Sequence, residues 1–393
     1  MYRVIASAAN HPDPINPYLG LYNLRSFDAM AAAGIDVRTV SPRPYAPPIG
    51  PYSEYGDVPS TYHYRNYTVH YPRFAYLLPQ RLFRYTVSSL AISRKLPSFC
   101  ARTFEVPDIC HAGHIHYDGY GLVPYCREHD VPLTVMGQGT LLNTYEETSD
   151  RGRAKIRETL EFADHVFCVS EALAERAGSL TDSAKVSVLA NGADPARYPT
   201  DHEDDIRAEL NIDPETVVIL FCGAYVEGKG IDEMIEALED VPPDDVMFVF
   251  VGHLGPLRGR LIRALNRSHH ESYRVLWKVS PVALRRWYAV SDLYMLPSRS
   301  EGRPNTIYEA MASETAVVAS AVGGIPEQVE RGETGILIPP KRPSKLAEAL
   351  NALIADDERR DEMGKNGRQR LEAEGWAWDA HAERLIEVHQ SLL

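Results

Sequence analysis

The chain reads as an α/β protein of two domains, and three observations carry that reading. Short β-branched runs alternate with amphipathic stretches, the pattern of parallel sheets covered by helices. The 393 residues, 44% of them hydrophobic, exceed the size at which one core keeps growing, so two domains are expected. No run of about 18 uncharged apolar residues occurs, so no membrane-crossing helix is expected.

The first strand is Arg3 to Ser7, and Met1 to Ala9 is too short and wrongly flanked for a signal peptide, which points to a cytoplasmic location. Strands follow at Asp36 to Ser41, Ile109 to Ala112, Pro132 to Met136, His165 to Val169 and Val186 to Leu189. The second half repeats the pattern at Val217 to Cys222, Met247 to Val251, Val275 to Trp277, Leu293 to Leu296 and Ala316 to Ala319. Two Rossmann-like halves follow. The boundary is expected after Asn191-Gly192-Ala193-Asp194, because the charge run Asp201 to Asp205 is costly to bury. That gives domains at 1–196 and 197–372, with a terminal segment at 373–393.

Composition excludes several classes of function. A formal charge of -13 argues against a general nucleic-acid surface. The five cysteines are odd in number and contain no C-x-x-C pair, so neither a disulfide framework nor a zinc site is expected. Eight of the 41 cationic residues are lysine, a balance that suits a high-salt cytoplasm or reflects ordinary acidic drift.

The most informative stretch runs from Ser298 to Ala312. An apolar strand precedes it, and Glu301 and Glu309 flank a Gly-x-Pro-Asn turn. Pro304 has no amide to lose and fits the first position of a helix, which leaves Glu301 in the loop and puts Glu309 in the second helical turn. The amides of Asn305, Thr306 and Ile307, at the positive end of that helix, suit a phosphate. A carboxylate one turn later suits the paired hydroxyls of a ribose or a hexose. Phosphate, ribose and sugar together suggest a nucleotide sugar.

Glu301 to Ala312 resembles the E-x7-E element of the retaining glycosyltransferases of family 4. The flanking segments Ser291 to Ser298 and Ala316 to Glu327 are similar too, as are Phe221 to Asp232, Ala163 to Leu173 and Leu189 to Asp194. The resemblance implies the GT-B architecture, two Rossmann-like domains facing each other across a cleft, with the C-terminal helix crossing back to the first domain. It implies a retaining, metal-independent hexosyl transfer from a nucleotide diphosphate donor, UDP being the commonest, to a glycan or lipid-linked acceptor in cell-surface polysaccharide or glycolipid assembly. The donor is a co-substrate and no cofactor is expected. Glu309 would hold the ribose and Glu301 the sugar hydroxyls. Lys229, beside Gly223, would hold the diphosphate with the helix amides.

The chain departs from the family pattern at two places. Ala224 replaces a common arginine, for which Arg303, or Arg258 and Arg260, could supply charge. In Leu133 to Gly139, Met136 followed by Gly137 stands where many relatives have the active-site histidine, and methionine bonds a sugar hydroxyl poorly. No side-chain base is needed if the departing phosphate takes the proton. The alternative reading is a non-catalytic nucleotide-sugar-binding paralogue or partner subunit.

On the acceptor side, His111, His114 and His116 follow a strand, but a third ligand at useful spacing is absent and no metal is predicted. Gly20, in the proline-rich loop from His11, resembles the family's loop that meets the donor phosphates. Residues 52–95 combine Tyr62, Tyr64, Tyr67, Tyr71, Tyr76 and Tyr85 with Arg65, Arg73, Arg81, Arg84, Arg94 and Lys95, which suits a peripheral contact with the inner membrane surface. A surface subdomain covering the sheet explains the same residues. A glycoside hydrolase is disfavoured because Glu301 and Glu309 are not opposed across a bond, and a dehydrogenase because no G-x-G-x-x-G follows a strand.

Overall fold

A computed structural model of the chain describes residues 2–45, 53–75, 84–198, 203–253 and 255–393. It has two compact units, Met1–Asn191 with Trp378–Leu393, and Gly192–Ala377. The chain changes units five residues earlier than the expected 196/197 boundary and returns five residues later than 372/373. Hydrogen bonds to two backbone carbonyls account for the shift. The Ala193 amide donates to the Trp376 carbonyl at 3.1 Å, and Arg368 donates to the Tyr198 carbonyl at 3.1 Å, tying both stretches to the second unit. Of the expected charge run, Asp201 and His202 lie outside the described residues.

The first unit is built on an eight-stranded sheet. Its strands are β1 (Arg3–Ser7), β2 (Asp36–Val40), β4 (Thr61–His63), β5 (Thr68–His70), β7 (Ile109–Ala112), β8 (Leu133–Gly137), β9 (His165–Cys168) and β10 (Val186–Val188). The order is β10-β9-β8-β7-β1-β2-β5-β4, parallel except where β4 turns back on β5. A separate parallel pair, β3 (Arg43–Pro44) with β6 (Arg73–Phe74), lies beside it. The second unit has one parallel sheet of β11 (Val217–Cys222), β12 (Val246–Gly252), β13 (Tyr273–Trp277), β14 (Leu293–Leu296), β15 (Ala316–Ser320) and β16 (Gly335–Ile338), in the order β13-β12-β11-β14-β15-β16. Both sheets thus grow outward from their first strand, the doubly wound arrangement. Among the described residues, no helix is long and apolar enough to cross a membrane.

The C-terminal helix, Trp378–Leu392, packs into the first unit. Ala382 and Leu385 join its core, and two buried histidines pin the helix. His389 Nδ1 meets the Tyr2 hydroxyl at 3.1 Å, and its Nε2 meets Thr134 Oγ1 at 3.0 Å. Thr134 in turn contacts His111 Nδ1 at 2.8 Å. His381 donates from Nδ1 to the Ala190 carbonyl at 2.8 Å, which leaves Nε2 to accept from Ser26 at 2.9 Å. Burial holds these rings neutral, lowering His111 to about 3 and His381 to about 4, with His389 also well below its ordinary value.

The proline-rich loop after β1 is held by a buried ion pair. Arg43 donates from Nε to Asp13 at 2.9 Å, and its other nitrogens reach the Ala9 and His11 carbonyls at 2.9 and 2.6 Å and Ser41 at 2.7 Å. All three guanidinium nitrogens donate, which offsets the cost of burying such a charge. Tyr71 lies over it with its ring centroid 4.9 Å away.

Because the unfolded rings titrate near 6.5 while the folded ones titrate far lower, the unfolded state takes up protons first as the pH falls. Stability is therefore fully present above about 6.5 and is lost below it, by about 1.4 kcal/mol per histidine per pH unit until the folded values are reached. Urea unfolding at pH 7, 6 and 5 should show the midpoint falling. The ring proton shifts of His111 and His381 should stay fixed down to pH 5, and titration of either near 6.5 would contradict neutral burial.

Candidate functional site

In the second unit β11 and β14 are neighbours from which the sheet extends in opposite directions, so the loops leaving their carboxyl ends meet at the switch point. After β11, Gly223 leads to a single turn, Glu227–Lys229, closed by Gly230 at φ +74°. A Cβ at Gly230 would lie 2.1 Å from the Pro297 carbonyl oxygen, so the two loops touch backbone to backbone. Arg299 reinforces that contact. Its amide donates to the Gly228 carbonyl at 2.9 Å, and its guanidinium bonds Glu233 at 2.7 Å and pairs with Glu227. These carboxylates raise the Arg299 pKa, the hydrogen bond to Glu233 first.

This bracing brings Lys229 and Glu301 together. Lys229 Nζ donates to Glu301 Oε1 at 2.6 Å, and Ser298 Oγ donates to the same oxygen at 2.7 Å. The lysine side chain is 28% exposed and the glutamate 9%, so the pair faces solvent on the lysine side. Gly223 lies alongside, its missing Cβ 3.8 Å from Lys229 Cδ.

The helix after this loop is Asn305–Ala312. Two expectations need correction here. Pro304 is the N-cap, with an extended ψ of 127°, rather than the first helical residue. The Ile307 amide donates to the Pro304 carbonyl at 3.3 Å and is therefore committed to the turn, while Asn305 and Thr306 occupy the first two helical positions. Glu309 is in the second turn as expected, and its charge acts on Cys222, Tyr288 and Tyr294 beneath the loop. The Cys222 thiol is pushed up to about 12, by burial first and then by Glu309, against opposing effects of a Tyr288 hydrogen bond and Lys229. The charges of Glu309 and Lys229 thus act on the same thiol in opposite directions.

Arg303 does not join them. It is buried, pairs with Glu327 at 3.2 Å, and stacks on Trp376 and Tyr308 with centroid distances of 4.8 and 5.7 Å. Its charge serves the packing beneath the helix rather than the space beside Lys229. Arg260 pairs with Asp232 at 3.1 Å, and Arg258 lies over Trp277 at 5.1 Å. Reading residues singly missed Ser298 and Arg299, although both lie in the stretch that carries Glu301; their roles depend on Gly228 and Glu233, which are distant in sequence.

In the first unit, Gly20 is left-handed at φ +59°, and a Cβ there would overlap the Asn10 carbonyl oxygen at 1.8 Å. Its close approach is to the chain itself. Met136 and Gly137 close the buried strand β8. His114 and His116 face different partners: His114 meets Tyr22 and Asp118, at 2.9 and 3.3 Å, whereas His116 meets Ser89 at 2.9 Å. Of the described tyrosines in the aromatic segment, Tyr62 is 43% exposed, whereas Tyr64 and Tyr85 are half-buried. Tyr67 and Tyr71 are buried, Tyr64 donates to the Pro12 carbonyl at 2.8 Å, and Arg73 donates to the Val58 carbonyl at 2.7 Å. Tyr52, Tyr76 and Arg81 lie outside the described residues.

Two family descriptions match the chain, "Glycosyltransferase Family 4" over residues 22–197 and "Glycosyl transferases group 1" over residues 202–370. Among curated proteins, the alpha-maltose-1-phosphate synthase of Mycolicibacterium smegmatis is 29% identical over 72% of this chain and 76% of its own length. A putative teichuronic acid biosynthesis glycosyltransferase of Bacillus subtilis is 27% identical over 86% of each. Among solved structures, Anabaena HepE in complex with UDP-glucose superposes with a TM-score of 0.76 over the full length of both chains, at 18% identity.

The contact at Gly230 can be tested by substitution. Gly230→Ala should destabilise the chain by about 2 kcal/mol or more, through the positive φ and the overlap with Pro297. Gly228→Ala in the same loop, where a Cβ meets nothing within 4 Å, should stay within about 0.5 kcal/mol of the parent. Urea denaturation distinguishes the two.

Proposed function

The chain belongs to glycosyltransferase family 4 and has the GT-B fold, and from that premise we propose that it is a retaining, metal-independent hexosyltransferase using a nucleotide diphosphate sugar, UDP-linked in the first instance. The observation that carries the reading is the pairing of Lys229 with Glu301 at the carboxyl edge between β11 and β14, with Glu309 in the second turn of the helix that follows. HepE, with UDP-glucose bound, supports the choice of donor class, and the teichuronic acid relative supports a glycan or lipid-linked acceptor in cell-surface polysaccharide or glycolipid assembly.

In this reading the donor lies on the second unit. Glu309 accepts hydrogen bonds from the ribose hydroxyls, and Glu301 accepts from the sugar. Lys229, with the amides of Asn305 and Thr306, meets the diphosphate. Charge grows on the leaving phosphate as the glycosidic bond lengthens, so a fixed ammonium and helix-end amides stabilise the transition state more than the ground state. Lys229 is held for this task by Glu301, which also keeps it from swinging into solvent. A lipid-carried acceptor would call for a location at the inner membrane surface, where Arg94 and Lys95, exposed on the helix Ser89–Thr103, are cations available to face the bilayer.

Glu309→Gln should weaken UDP binding about tenfold, seen as a smaller thermal shift with UDP; unchanged affinity would remove the ribose assignment. Lys229→Ala should lower kcat by about 10²-fold to 10³-fold with radiolabelled UDP-glucose and a lipid extract as acceptor source. Binding of UDP-glucose without turnover across such extracts would instead favour the non-catalytic paralogue.

A further inference from the structure

The first unit carries a charge asymmetry that the donor site does not use. The chain holds 54 acidic residues and a net charge of -13, yet residues 58–104 contain seven arginines and lysines and not one carboxylate. At the chain's average frequency about six acidic residues would fall in that stretch. Within it lies the helix Ser89–Thr103, on which Arg94 and Lys95 are exposed. One turn earlier the same helix exposes Leu90 at 49%, and Val87, just before the helix, is 37% exposed. Exposed aliphatic side chains followed by paired cations are the pattern of a segment that lies on an anionic bilayer.

Val87 and Leu90 open into a groove of about 580 Å³ shared with the helix Asp150–Phe162, a volume within the range of small-molecule sites. Gly152 lets the two elements touch. A Cβ there would lie 2.8 Å from the Tyr85 ring, and that ring, packed on His116 with centroids 4.9 Å apart, walls one part of the groove. Ala154 adds a small apolar side chain from the second helix. Arg151 and Lys155 are cations of the same lining, and Lys155 is held by its hydrogen bond to the Tyr120 hydroxyl at 2.7 Å. Against them stands a single carboxylate of the lining, Glu158, so the groove keeps a net positive charge. Each helix runs back to the amino end of the strand that follows it, β7 and β9 respectively. Their first turns, and the groove with them, therefore lie toward the carboxyl edge of the sheet, where such folds take ligands.

We propose that this groove takes the hydrocarbon chain of an anionic lipid and so seats the first unit on a bilayer. The inference deepens the membrane location in the proposed function and rests on that reading for its purpose, while its supports lie in the first unit alone. Covering Val87 and Leu90 with a hydrocarbon chain removes apolar surface from water, and lipid phosphates draw the cations beside them. A soluble polyanion would meet the charges and leave the aliphatic side chains wet, so a lipid satisfies more of the surface.

Vesicle flotation of the full chain tests this. The chain should float with phosphatidylcholine vesicles containing about 30% phosphatidylglycerol and stay behind with phosphatidylcholine alone. Leu90→Ser should lower the partition coefficient about 10-fold, and Arg94→Gln with Lys95→Gln about 30-fold. Ala154→Trp decides the groove itself. On a flat interface an added tryptophan strengthens binding, whereas in the groove it takes the place of the chain and should weaken binding about 10-fold. All four positions are exposed, so each variant should keep the urea midpoint of the parent. No flotation with the anionic vesicles overturns the proposal, as does binding by Leu90→Ser or Ala154→Trp that equals or exceeds the parent's. Binding to soluble polyphosphate as tight as to the vesicles also overturns it, since that needs no hydrocarbon. A UDP thermal shift on the same samples separates the two readings: flotation without a shift counts against the transferase and leaves the groove standing, and a shift without flotation does the reverse.

Discussion

Both units depend on one topological constraint. A parallel sheet that extends in opposite directions from its first strand sends the loops on either side of that strand to opposite faces, and the carboxyl edge between them is left open. In the second unit that edge lies between β11 and β14, in the first between β1 and β7. Residues far apart in sequence, Lys229 with Glu301 and Ser7 with Asp118, meet there because the strands carrying them are neighbours. The apolar strands, buried along most of their length, fix the register, and the loops inherit their positions from it.

At the second edge the dominant interaction is the ion pair of Lys229 with Glu301. Removing either charge from water is costly, and a close, hydrogen-bonded partner offsets that cost. Ser298 supplies the additional donor to the carboxylate, and Arg299 fastens the two loops so that the pair does not have to hold them together itself. Under the proposed function an arriving diphosphate would compete with Glu301 for the same ammonium. The pair keeps its cation ordered and partly neutralised, and under the same reading the donor sugar would offer the carboxylate replacement hydrogen bonds.

Much of this was legible in the sequence, and the misses share a cause. Arg3–Ser7, Ile109–Ala112, Val217–Cys222 and Leu293–Leu296 begin and end where the apolar runs do, because strands buried on both faces admit little else. The pairs β3 with β6 and β4 with β5 were not read, since two or three residues at an edge carry no periodicity. The strand Gly335–Ile338 was missed although it is apolar. Glu309 was placed in its turn from Pro304 alone, yet the proline caps the helix rather than opening it, a distinction of one residue that sequence does not resolve. Arg303 was misread because proximity to Glu301 along the chain says nothing of direction. Trp376, Tyr308 and Glu327, which capture it, are visible only after folding.

The loss of histidine at position 136 has a similar lesson. Along the chain, Met136 stands where the family resemblance leads one to expect a histidine. Across the sheet, β7 runs beside β8 in register, and His114 follows β7 one step beyond the residue level with Met136. Adjacent parallel strands are about 4.8 Å apart, a spacing an imidazole spans. The buried partners support this placement, since Asp118 is held by Ser7 and Ala9 of the first strand and its loop, independently of β8.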